Sequence, residues 1–275
     1  MSLKGYNVKV GYFEEETFGT KPEGTDTSQI TYNPPGYVRR VAPSIEPELL
    51  EIWALGSRDI AEILRGRKSV SLSIEYVPTD WVFAEYGIGN ISKSVAVWID
   101  LADISKNLVL TGCKVDSLTF EVAEGEEAKI SAELVGKSSD DSAPNYSSIG
   151  SVSGTPIIFK DVEIKKNGSS IKTYVKDFMF KIENNLEPVF TIGDSEPASI
   201  LEKNREISGR IGLTFKDLAE YSEVVNDGEF TLEIVCGGKT ITLSGCKWEK
   251  WSSEITPEDI IYLPLDFKAK TVSVA

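Results

Sequence analysis

The chain has no histidine in 275 residues. That excludes a Ser-His-Asp triad, a Cys-His dyad and a His-ligated zinc site. Cysteine is sparse: Cys113, Cys236 and Cys246, with no C-x-x-C spacing. A disulfide framework or cysteine metal site is therefore not expected, and a reducing compartment is. No stretch approaches eighteen uninterrupted apolar residues, so no membrane-spanning helix is expected. The opening MSLKGYNVKVGYFEEE has no apolar h-region and does not read as a signal peptide. The N-x-S sequons at Asn90, Asn145 and Asn167 then read as chance matches. Positive charge is in deficit: 29 Lys and Arg against 43 Asp and Glu, a formal charge of −14. Such a chain does not wrap phosphate backbones and is repelled by anionic membranes. There is no Gly-rich phosphate loop, no metal-ligand spacing and no nucleophile elbow, so no enzyme activity, metal or cofactor is expected. Carboxylate pairs are abundant, but a solvated surface explains them better than an acid/base dyad.

What is present is ordinary apolar content (41%), enough for a core, and an internal repeat. Shifted by 137 residues, 37–74 lies over 174–211 with 11 identities in 38 ungapped positions; average residue usage gives about two or three. Ile45/Ile182, Glu46/Glu183, Leu49/Leu186 and Gly56/Gly193 are among them. The match continues with small slips. Ala84-Glu85-Tyr86 meets Ala219-Glu220-Tyr221 at a shift of 135, and Leu110-Thr-Gly-Cys-Lys114 meets Leu243-Ser-Gly-Cys-Lys247 at 133. Between the copies, 137–154 (KSSDDSAPNYSSIGSVSG) reads as a linker or long surface loop. The division is 1–138 for the first copy, 139–152 for the linker and 153–275 for the second copy.

The dominant period is two. Residues 68–76 put Val70, Leu72, Ile74 and Tyr76 on one face; 115–122 do so with Leu118, Phe120 and Val122, and 129–135 with Ile130, Ala132 and Leu134. These are half-buried strands. Residues 123–127 make a glycine-containing hairpin, and Gly237-Gly238 joins two strands of the second copy. Residues 57–65 (SRDIAEILR) carry helix signals, a Ser cap with acid early and Arg late, and 217–225 (DLAEYSEVV) is the second helix candidate. The fold class is mainly β: two tandem β-sandwich or curled-sheet domains, each of about seven or eight strands with one short helix.

Three features invite a functional reading. Gly-Cys-Lys in both copies suggests a reactive thiol beside a lysine, yet a strand start with tight backbone geometry and a small buried side chain fits better. The five Trp suggest a sugar platform, but Trp53 matches Phe190 and Trp251 matches Leu118, so those two read as core or interface. Acids persist at matched positions: Glu46/Glu183, Glu121/Glu254 and Glu133/Asp266. Glu121 and Glu133 lie opposite Phe120, Val122 and Leu134 and point away from their domain's core. Solubility accounts for this; so does a shared acidic surface such as a channel wall.

The strand patterns 175–188 (VKDFMFKIENNLEP), 205–215 (REISGRIGLTF), 112–120 (GCKVDSLTF, a G-x-x-V-x-S-L strand) and 130–136 (ISAELVG), with the opening 11–19 (GYFEEETFG, an E-x-x-F-G phrase), resemble the phage tail tube protein family of siphovirus-like viruses. The resemblance covers nearly the whole chain; order and spacing carry it. It implies a structural virion protein whose subunits form stacked rings, with inner sheets closing into a β-barrel around a negatively charged lumen for genomic DNA. Glu121, Glu133, Glu254 and Asp266 are then the candidate lumen-lining acids. The implied partners are further copies of the chain, tape measure, terminator and distal tail proteins, and DNA that passes without specific binding. The implied location is the virion tail, after assembly in the host cytoplasm, away from membranes. Single-domain tube proteins would use six subunits per ring, so a duplicated chain points to a trimer with pseudo-sixfold symmetry. A hexamer with one copy lining the lumen is the runner-up. The loops at 123–128 and 137–154 are expected to be ordered by neighbours in the assembly. The alternatives are another tail or baseplate part, a two-domain β-sandwich adhesin or carbohydrate-binding protein, and a carboxylate-based hydrolase.

Overall fold

The structure is a computed structural model, and it describes residues 4–20, 31–141, 148–251 and 262–275. The first half contains β1 (Val8–Glu14), β2 (Thr31–Tyr32), β3 (Tyr37–Trp53), β4 (Ile60–Val77), helix α1 (Glu85–Ile88), β5 (Val95–Leu101), β6 (Lys106–Ala123), β7 (Lys129–Gly136), β8 (Ser138–Asp140) and β9 (Ser148–Ile149). There follow β10 (Glu163–Lys166), β11 (Ser169–Ser170), β12 (Val175–Glu183), β13 (Glu187–Val189), β14 (Ser199–Leu201), β15 (Glu206–Thr214), helix α2 (Ala219–Val225), β16 (Phe230–Cys236), β17 (Lys239–Trp248), β18 (Tyr262–Lys268) and β19 (Thr271–Val274). The protein is mainly β, with two short α-helices among the described residues. No helix there is long and apolar enough to cross a membrane.

The alternating strands pack as their period requires. A central sheet runs β18-β15-β12-β6-β7-β4-β3. One of its cross-strand rows is Tyr76, Ile130, Phe120, Phe180, Gly209 and Phe267, and all its side chains are buried. Gly209 is required there, because a Cβ would enter the Phe267 ring and touch the Met179 carbonyl. Trp81 is fully buried over this row, 5.1 Å from Phe120 and 6.5 Å from Phe180 between ring centroids, and its indole N–H donates to the Cys236 carbonyl at 3.0 Å. An indole buries roughly 200 Å², so this contact ties the two halves into one core. Strands β6 and β17 are long enough to serve two layers. The first part of β6 pairs with β5 and β8, and its end with β7 and β12. In the same way β17 pairs with β16, β19 and β18.

The pairing pattern of the first half recurs in the second at the shifts read from the sequence. Val41↔Ile74, Pro43↔Leu72 and Ile45↔Val70 are repeated as Phe178↔Ile211, Phe180↔Gly209 and Ile182↔Ile207. Even the bulges recur: Val38/Arg40 with Val175/Asp177, and Val95/Val97 with Phe230/Leu232. The helices fall at matched places too, since Glu85 and Glu220 lie in α1 and α2.

Two expectations change. Residues 57–65 are not helical: Ser57–Asp59 turn the tip of the β3–β4 hairpin and Ile60 opens β4. The Ser57 hydroxyl that resembled a helix cap instead accepts the Asp59 N–H at 3.0 Å within the turn, and Gly56 supplies the left-handed step (φ 90°). Fifteen cross-strand pairs between β3 and β4 outweigh a weak local helix preference. The two halves meet edge to edge, because β6 and β12 pair and make one continuous sheet. Finally, the 137–154 stretch holds two paired strands, β8 on β6 and β9 parallel to β2; 142–147 lie outside the described residues.

Candidate assembly surfaces

The face of the central sheet away from the core is polar. One row reads Arg40, Glu75, Ser131, Thr119, Lys181, Ser208 and Lys268; a second reads Ala42, Ser73, Glu133, Ser117, Glu183 and Glu206; a third reads Lys129, Glu121, Met179, Arg210 and Asp266. Glu121, Glu133 and Asp266 are all exposed and share this face, as the period-two pattern requires. Glu254 lies outside the described residues. The face is mixed in charge: Glu121 stands beside Lys129, Asp266 is 3.8 Å from the Arg210 guanidinium, and Lys181 and Glu183 pair at 2.5 Å. The second row alone carries carboxylates without cations. Glu206 in that row has no acid at its matched position and so gave no sequence signal; Glu183 did, through its identity with Glu46.

Two further surfaces differ between the halves. Strand β12 is covered on both edges, by β15 and by the end of β6, whereas among the described residues its counterpart β3 pairs only with β4. An unpaired strand edge is a row of open hydrogen-bonding groups, and proline blunts it; Pro43 and Pro47 stand on this one. The second surface is the β3–β4 arm beyond residue 47. There β4 has left β7, and the ribbon exposes Leu49, Leu50, Ile52, Trp53, Leu55, Ile63 and Leu64. Trp53 is thus not core. A lone two-stranded ribbon is marginal in water, and one this apolar needs a partner. The matched hairpin β13–β14 instead lies back on the first half. The Ser195 carbonyl accepts the Lys68 N–H at 2.8 Å, and the Glu196 carboxylate accepts from the Ser138 hydroxyl at 2.6 Å and faces the Lys68 ammonium at 3.4 Å. Both tips end in a bare aliphatic side chain, Leu55 at 107% and Ile192 at 106% exposure.

The E-x-x-F-G phrase has a structural task. The buried Glu15 carboxylate accepts from the Gly112 N–H (2.8 Å), the Gly19 N–H (2.9 Å) and the Ser94 hydroxyl (2.6 Å). Phe18 lies against Gly112, with the Lys137 ammonium 5.6 Å from its ring. Gly112 and Gly245 share a left-handed backbone (φ 66° and 64°) under Lys137 and Lys270. This explains the Gly-Cys-Lys match by backbone geometry. Burial raises the thiol of Cys113 well above its ordinary range, with the Glu15 carboxylate adding to it, and raises Cys246 to about 11 and Cys236 to about 12. None of the three is a thiolate at neutral pH.

A β-rich subunit with a bare edge at β3 among its described residues, an apolar arm and a broad polar sheet face has surfaces suited to contacts with neighbours. The chain matches the family model described as "Phage tail tube protein" over residues 5–269, and it belongs to that family. It is thus a structural component of a phage tail, of a kind that assembles into a tube with other tail proteins. A search of curated proteins returned no match.

Proposed function

We propose that the chain is an internally duplicated tube subunit, with copies at 1–138 and 153–275, whose head-to-tail closure makes a trimeric ring of pseudo-sixfold symmetry. The observation that carries this is the bare edge of β3 set beside the covered edge of β12. Inside one chain, the end of β6 completes the second copy's sheet. Between chains, the far end of the second copy's sheet meets the bare β3 edge of the next chain, and a heterologous contact of this kind closes a ring when the rotation allows. If each half gives about four strands, as β6, β7, β4 and β3 do, three chains make a barrel of about 24 strands, wide enough for an open channel.

The polar sheet face then lines the lumen, with Glu121, Glu133 and Asp266 on it and Glu254 as the second copy's match to Glu121. Carboxylates repel phosphates, so DNA slides without specific binding. The tips at Leu55 and Ile192 supply matched apolar contacts for ring-on-ring stacking. Tape measure, terminator and distal tail proteins are the other partners, met during assembly in the host cytoplasm.

Electron microscopy of the purified protein tests the reading. Tubes with threefold rings and two similar domains per chain support it. Strict sixfold rings with one chain per sixth overturn the trimer, and dispersed monomers at high concentration overturn the tube.

A further inference from the structure

The contact that folds β13–β14 onto the first half has a chemical counterpart that no described residue of the same chain fills. At the shifts found in the sequence, Glu196 corresponds to Asp59, Lys68 to Arg205 and Ser138 to Thr271. All three keep their chemistry: acid for acid, cation for cation, hydroxyl for hydroxyl. In the first half these groups meet, with Glu196 on Ser138 at 2.6 Å and on Lys68 at 3.4 Å. In the second half Arg205 and Thr271 are exposed and line a pocket of about 370 Å³ together with Glu202, Lys203 and Lys270, the two lysines being paired with Glu187 and Glu229. The pocket sits where, on the first half, the turn at Ser195 and Glu196 sits. Asp59 meanwhile stands exposed at the tip of the arm.

We propose that this pocket on the second half of one chain receives the Asp59 turn of a second copy of the chain, with the Asp59 carboxylate on the Arg205 guanidinium and the Thr271 hydroxyl. The proposal rests on the ring reading and gives it a residue-level interface. The arm stands away from its own chain because its seat is on the neighbour. Arg205 already gives its Nε–H to the Asn184 side chain at 3.1 Å, which holds the guanidinium against the pocket wall while its terminal N–H groups stay available. A planar fork suits a carboxylate better than the lysine it replaces. One intrachain bond has no counterpart: Asn184 donates its backbone N–H to the Asp116 carbonyl at 2.7 Å, and Pro47 at the matched position has no N–H. The interchain contact therefore relies more on the Asp59 turn than the intrachain one does on Glu196.

The test uses the full chain, whose own cysteines are buried. A variant carrying both Asp59→Cys and Thr271→Cys is oxidised after assembly. Covalent species that grow to three chains and stop there support the contact. Tubes visible by electron microscopy with no interchain cross-link overturn the contact and leave the tube reading standing. Absence of tubes from the unaltered protein overturns both. As a second arm, Asp59→Arg and Arg205→Asp are each expected to raise the concentration needed for assembly about tenfold or more, since like charges then face one another. The double variant is expected to recover most of that loss. Failure of the double variant to recover, with each single variant folded by circular dichroism, also overturns the pair.

Discussion

The two halves share strand order, register and bulges, yet differ in what they leave bare. The second half has its first long strand covered on both edges and its hairpin folded down onto the first half. The first half has the same strand open on one edge and the same hairpin standing free. The local sequences do not explain this, because both hairpins turn on a matched glycine with positive φ, Gly56 and Gly193. The neighbour explains it: within the chain the end of β6 lies against β12, and no described strand lies against the matching edge of β3.

The comparison is broken most severely by attacking what the halves share. Trp81→Ala removes the indole that lies over Phe120 of one half and Phe180 of the other and is hydrogen-bonded to the Cys236 carbonyl. It is expected to destabilise the free subunit by about 3–5 kcal/mol, read by denaturant unfolding. A loss below 1 kcal/mol would mean that the halves fold without this core.

Glu15→Ala tests a clamp that only the first half has. It leaves the Gly112 and Gly19 N–H groups and the Ser94 hydroxyl without their acceptor. The expected cost is about 3 kcal/mol. Hydrogen exchange should show the loss of protection around Gly112 and not around the matched Gly245.

Alkaline pH separates the matched thiols. Burial holds the folded-state values above the ordinary 9.0 for cysteine and 10.0 for tyrosine: about 11 for Cys246, and about 12 for Cys236 and Tyr12. The fold favours the protonated forms, so their contribution is complete below pH 9 and is lost as pH rises through 12. The melting temperature should be flat from pH 7 to 9 and fall above that. Thiolate absorbance should appear for Cys246 before Cys113. The reverse order would contradict the burial assigned to the first half.

Trimming the arm is expected to change the free subunit least. Replacing 50–63 by a short turn removes side chains that bury little, so stability should move by no more than about 0.5 kcal/mol, while tube formation is lost. A comparable fall in stability would show that the arm belongs to the subunit's own core. Glu121→Lys, Glu133→Lys and Asp266→Lys, combined, should likewise leave stability within about 0.5 kcal/mol. They should make assembled tubes retain DNA at low salt and release it at high salt; tubes that still retain no DNA would place this face outside the lumen.

The strands were legible because their period of two is a local property. Val70, Leu72, Ile74 and Tyr76, or Ile130, Ala132 and Leu134, alternate with polar residues that have no other place to go, and Gly237-Gly238 joins β16 to β17 as the sequence puts it. The repeat was legible because identities at fixed shifts survive even where most residues differ. The arm was not. Residues 57–65 carry a cap, a charge gradient and helical spacing, and only pairing with 49–53 makes them a strand. Glu121, Glu133 and Asp266 could be placed on one face by alternation, but the cations interleaved with them arrive from strands far apart in the chain.

By itself, the sequence determined a mainly β chain without catalytic histidine, with two related halves and acids on the face away from the core. It could do so because composition and periodicity act within a few residues. Only the tertiary structure decided that the halves share one sheet through β6 and β12, that Trp81 stitches them together, and that β3 and its arm are left open. Those outcomes depend on which edge meets which, a matter of long-range pairing that no local pattern encodes.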